Sequence, residues 1–204
     1  MDSRNDDAAL IAQELFEWSR QCLEPPSSPH GGLPSCPFAK QEWANGQIVI
    51  HITEDLDSVV DLKAHYPPTE NQSHLIAWTG WDEMTADEFN DWIDEQNASH
   101  FGVWLMGFHP DAPEDETIPD LKLPDDWPET DDYAVILMQS LSRVVAASQQ
   151  LLGTRYYESY SNEDMQMIHN RKESHDAWKE KVDEVVYRQR EEDEIARRSA
   201  QKDS

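Results

Sequence analysis

The octapeptide FGVWLMGF at 101–108 is apolar at odd and even positions alike, and it constrains the chain more than any other stretch. A strand with two apolar faces has to be covered on both sides. Two more β-rich runs precede it, QIVIHIT at 47–53 and SHLIAWTG at 73–80. Between the three runs lie segments of helical spacing, EDLDSVVDLKAHY at 54–66 and TADEFNDWIDEQNA at 85–98. The second of these opens with Thr85 and Glu88 at the separation of a capping box. Strands alternating with helices supply the cover the apolar runs need. The expectation is an α/β fold: a three-stranded or slightly larger, mostly parallel sheet in βαβαβ order, with flanking helices and a C-terminal helical extension.

The flanks follow the same rules. Leu10, Ile11, Leu15, Trp18 and Cys22 fall on one face of a helix over 8–23, which ends at Pro25-Pro26. After the loop PPSSPHGGLPS, CPFAKQEW reads as a short helix with Pro37 at its first position, where a missing N–H costs nothing. Residues 109–132 hold ten acids and five prolines and read as a long surface loop. The run DYAVILMQSLSRVVAASQQLLG at 132–153 reads as one helix stopped by Gly153. Beyond it the tail is charged, with Met167, Trp178, Val182, Val185 and Val186 as a narrow apolar stripe. The organisation expected is an α/β core over 8–153 and a charged helical extension over 154–204.

Charge narrows the function classes. The chain carries 42 Asp+Glu against 16 Lys+Arg, a formal net charge of −26. Such a surface repels phosphate backbones, which argues against direct nucleic-acid binding. Cys22 and Cys36 are too few for a disulfide scaffold. No run approaches the ~20 apolar residues of a membrane helix, and the N-terminus MDSRNDDAAL lacks the pattern of a secretory leader. A soluble cytoplasmic protein with reduced thiols is expected.

Two places suggest chemistry. Cys36, beside the start of the short helix, would have its thiolate stabilised by unpaired backbone N–H groups. His109 ends the third apolar run, and in parallel sheets ligands bind at the carboxyl edge of the strands. The loops reaching that edge bring Glu54, Asp55 and Asp57, then Asp82 and Glu83, then Asp111 beside His109. His109 with Asp111, Glu54 and Asp82 could hold Fe(II), Mn(II) or Zn(II), or run acid–base chemistry. The alternative is that these acids cap the helices that follow. His109-Pro110-Asp111 also has the His-x-Asp spacing of an iron facial triad, with His169 or His175 as its distant third ligand. Trp78 and Trp81 read as core, and His51 and His74 as interior polar groups unless they face the site.

The fragments CPFAK at 36–40 and FHPDA at 108–112, preceded by a helix bearing Trp18, resemble a family of small bacterial proteins of unknown function. That family is marked by CPFA near the amino end and FHP after an αβ stretch, and the likeness spans roughly residues 10–145. Cys36, Pro37, Phe38, Ala39, Phe108, His109 and Pro110 are the matching positions. The chain departs from the pattern in its acid- and proline-rich loop after FHP. It also lacks an Asn-Arg-Ser-Pro stretch, with Tyr133 and Arg143 as the candidate remnants. The resemblance implies that Cys36 and His109 pair in space.

Two functional readings follow. In one, a Cys36/His109 active site at the carboxyl edge acts on a small-molecule substrate. It works either through a thiol nucleophile deprotonated by His109 or through a divalent metal. In the other, the chain is a non-enzymatic acidic protein that docks on a basic partner, possibly as a nucleic-acid mimic. The first requires both side chains in one accessible hollow. The second requires acids on a continuous face, with Cys36 and His109 buried and apart.

Overall fold

Helix α1 (Ser3–Trp18) runs without a break into a wider π-helical turn, Ser19–Leu23, in a computed structural model that describes residues 3–99, 102–112 and 133–181. Ile11, Leu15, Trp18 and Cys22 are all buried on its inner face, as the spacing requires. The short helix α2 (Ala39–Ala44) starts after its cap residue Phe38, two residues later than expected, so Pro37 lies before the helix and Cys36 is not its cap. It is followed by β1 (Ile48–Thr53), α3 (Leu56–His65), β2 (Ser73–Trp78), α4 (Ala86–Ala98) and β3 (Val103–Phe108). Local signals set these boundaries. The Asp55 side chain accepts from the Asp57 N–H at 2.9 Å to cap α3, and Thr85 and Glu88 form the complete capping box of α4.

The expected single helix over 132–153 is instead a strand, β4 (Ala134–Ser140), turning directly into helix α5 (Leu141–Leu151). Ala134, Val135, Ile136, Leu137 and Met138 are all buried. A continuous apolar run fits a doubly covered strand as well as it fits a helix, and periodicity cannot separate the two.

This strand changes the sheet. The order is β1-β2-β4-β3, and only β1 and β2 pair in parallel. Strand β4 lies antiparallel between β2 and β3, so the sheet is mixed and four-stranded rather than mostly parallel. Strands β1, β2 and β3 still point the same way, because β3 and β2 are both antiparallel to β4. Their carboxyl ends therefore share one edge, where Thr53, Trp78 and Phe108 lie near the start of β4.

Each face carries its own core. Leu75, Ala77, Val135 and Leu137 pack with Ile11, Leu15 and Trp18 of the N-terminal layer. On the other face, Ile76, Trp78, Leu105, Ile136 and Met138 pack with Val59 of α3 and Phe89 and Ile93 of α4. Gly107 has to be glycine here: a Cβ on it would lie 2.5 Å from the Phe89 ring and 2.9 Å from Ile93.

A helix over 162–181, here α6, lies against the body on its buried stripe of Ile168 and His175, with the Arg171 guanidinium 4.1 Å above the Trp104 ring. Trp178 covers Gly102. The expected stripe was offset, since Met167 is 58% exposed while its neighbour Ile168 is buried. Val182, Val185 and Val186, and most of the acidic loop over 109–132, lie outside the described residues. The segment leading into α6 is also anchored: Tyr156 donates to the Ser35 carbonyl, and the Tyr160 hydroxyl lies 3.2 Å from Nε2 of the buried His30.

Candidate functional site

The two sequence-selected side chains lie on opposite faces of the sheet and near opposite edges. Cys36 packs half-buried on the N-terminal layer's face, in a small hollow lined by Ser19, Leu23, Glu42, Ile48, Leu75 and Gln139 among others. Ile48 opens β1 and Gln139 is next to last in β4, which puts this hollow near the amino edge of the parallel strands. His109 follows the carboxyl end of β3 on the other face, against Phe89 and Trp81. The four-stranded sheet stands between them, so the expected Cys36/His109 site does not assemble.

His109 is committed to holding its surroundings together. Its Nδ1 accepts from the Asp111 N–H at 3.1 Å, which leaves the ring proton on Nε2. That nitrogen faces the carbonyls of Trp81 and Met84 at 3.3 and 3.2 Å. The imidazole thus ties the turn Trp81–Glu83 to the end of β3, with both ring nitrogens used. Nor do Asp111, Glu54 and Asp82 complete a metal set with it. Among the described residues no group of three or more His, Cys, Asp or Glu is arranged to hold a metal ion. Glu54 contributes its backbone carbonyl to the Trp78 indole N–H at 3.2 Å, and its neighbour Asp55 caps α3. The iron triad fails in the same way. His175 bonds Ser142 at 3.0 Å near the start of α5, by the amino edge, and the His169 ring sits on the Met165 carbonyl of its own helix.

Around Cys36 burial opposes ionisation. Desolvation pushes the thiol above its ordinary range; N–H groups of Phe38 and Ala39 act against this, and the Glu42 carboxylate adds to it. The hollow beside the sulfur measures about 20 Å³, room for roughly one water. We therefore expect iodoacetamide to label Cys36 in the native chain about tenfold or more slowly than a free thiol at pH 7. Full labelling of both cysteines should come only in denaturant, and fast native labelling of Cys36 would contradict this placement.

A larger concavity lies elsewhere. Two adjoining hollows of about 490 and 530 Å³ share His51, Leu62 and Tyr66 between β1 and the C-terminal half of α3. His74 and Gln72 line the first, and Asp61 and His65 the second. His51 and His74 point to the same face because β1 and β2 pair with Val49 opposite His74, two residues before His51. Their rings meet, His51 Nε2 to His74 Nδ1, at 3.2 Å. Each His was visible within a β-rich run, but the register that joins them is not written in either run.

Burial lowers both imidazoles, His74 to about 4, and the neighbouring His51 further disfavours charge on His74. The linkage has a definite sign. An unfolded His74 binds a proton near pH 6.5 while the folded one does so near 4, so stability is complete above pH 6.5 and falls as pH drops between those values. Chemical denaturation at pH 7 and pH 4 should show wild type losing about 2–3 kcal/mol more than His74→Gln over that interval.

Comparison with protein-family models, with curated proteins and with solved structures gives no match for this chain.

Proposed function

We propose that the chain is an acidic docking protein whose α3–α4 side binds a basic protein surface. The observation that carries this reading is a one-signed layer. From Glu54 to Glu95 the chain holds twelve carboxylates, and every one is exposed. Glu54, Asp55, Asp57 and Asp61 lie on and before α3, and Glu70 in the loop after it. Asp82 and Glu83 sit in the turn before α4, which itself presents Asp87, Glu88, Asp91, Asp94 and Glu95. The same stretch has one Lys or Arg, Lys63, and it is buried, donating to Ser99 Oγ at 2.7 Å and to the Gln96 carbonyl. Among the described residues none of the twelve carboxylates is ion-paired with a Lys or Arg.

Such a field attracts a basic partner, speeds its encounter and repels nucleic acid, and it weakens as salt rises. Support also comes from Cys36 and His109 lying on opposite faces of the sheet, the first half-buried and the second buried, so that no shared hollow competes with this reading. A domain of this kind competes for basic surfaces that otherwise bind polyanions.

The test uses immobilised poly-lysine as the probe and two variants of equal net charge. One neutralises Asp87, Asp91, Asp94 and Glu95 to their amides; the other neutralises Glu158, Glu163, Glu173 and Glu180, in the segments that follow α5. At 50 mM salt the first should weaken binding about tenfold more than the second, with the gap closing by 500 mM. Equal losses in the two variants would mean that only total charge matters and would overturn the reading.

A further inference from the structure

We propose that His51 and His74 form a binding site for one borderline divalent metal ion of the Zn(II), Co(II) or Ni(II) class, open to the hollow under α3. The site stands on ring geometry and is independent of the docking face. Two imidazole nitrogens bound to one tetrahedral ion at ~2.0–2.1 Å lie about 3.3–3.4 Å apart. His51 Nε2 and His74 Nδ1 are already 3.2 Å apart. The ring centroids are 5.0 Å apart, closer than that nitrogen separation plus both ring radii would place collinear rings. The rings are therefore bent off the line joining the two nitrogens, as ligands that share one ion are.

The setting suits a cation. Both rings are held by adjacent paired strands, so little order has to be created on binding. One proton lies between the facing nitrogens of the neutral pair. Moving it to the outer nitrogen of the same ring frees both lone pairs with no net proton release. Two protein ligands are one fewer than common open zinc sites supply, so water and a donor atom of a bound molecule would complete the coordination. Gln72 lines the same hollow, and Asp61 and His65 line its neighbour. The twelve exposed carboxylates on this side of the sheet raise the local cation concentration without supplying soft or borderline ligands.

The experiment titrates metal-free full chain with Co(II) in 10 mM Mg(II), which occupies carboxylate sites and competes poorly for imidazole. Binding is followed by visible absorption and by the shifted ring signals of the ligating histidines in proton NMR. One ion per chain is expected, with two histidine rings shifted and Zn(II) displacing the Co(II). His51→Gln should weaken binding by more than about tenfold, while His169→Gln, on the tail helix, should leave it within about twofold. The wild-type NMR readout guards against the case in which His51→Gln fails to fold. Absence of Mg(II)-resistant binding, or shifted signals from rings other than His51 and His74, would overturn the site.

Discussion

Arg143→Ala is expected to destabilise the chain by about 3–5 kcal/mol, although the residue touches neither proposed binding site. Its guanidinium pairs with Glu42, whose side chain is 5% exposed, and donates to Ser73 Oγ at 3.2 Å. Ser73 in turn donates to Glu42 at 2.6 Å and accepts from Gln139 at 2.8 Å. One network thus joins α2, β2, β4 and α5 at the amino edge of the sheet. Removing the cation leaves a buried carboxylate with Ser73 but no countercharge, and desolvation makes that costly. Replacing the pair together, as Glu42→Leu with Arg143→Met, removes both buried charges and should recover most of the loss. Urea denaturation of wild type and the two variants checks this; a single substitution as mild as the double would show that the pair is not buried as described.

Phe89→Ala should cost a comparable amount, about 3–5 kcal/mol. Phe89 is fully buried and joins the sheet to α4: its ring stacks on Trp78 at 5.6 Å and Trp92 at 6.5 Å and meets His109 at 5.6 Å. Gly107 leaves the space the ring fills. Truncation opens a cavity under the helix that carries five of the twelve exposed acids, so α4 amides should exchange with solvent faster than those of α1. Tyr66→Ala, at a side chain 69% exposed, should stay within about 0.5 kcal/mol of wild type. Equal losses at the two positions would refute the packing described for this face.

How far the sequence could be read depended on whether a signal was local. The capping box at Thr85 and Glu88, the Asp55 cap and the spacing of Ile11, Leu15 and Trp18 are local, and each has its structural counterpart. The strand Ala134–Ser140 was hidden because burial on both faces removes alternation, the one cue that separates strand from helix in so short a run. Misreading it also lost the sheet order, since β4 alone separates β2 from β3.

The separation of Cys36 from His109 was hidden for a related reason. That His109 lies past the end of β3 is legible in the run before it. Which face it takes follows from sharing the side of Leu105 and Gly107, and that becomes informative only once Phe89 and Trp81 are known to cover that side. The segment holding Cys36 instead layers with α1 on the other face. The His51/His74 contact needed the parallel register of β1 and β2, a long-range property that neither strand encodes by itself.

Chemical-shift mapping decides whether α3 and α4 form the docking face. Isotope-labelled full chain would be titrated with a ten-residue oligolysine at low salt, following every backbone amide. The expected result is that the largest, salt-reversible shifts fall within residues 54–61 and 82–95, in the stretch whose one Lys or Arg, Lys63, is buried. Shifts of equal size over α1 and α6, or a cluster on the N-terminal layer, would contradict a docking face on α3 and α4.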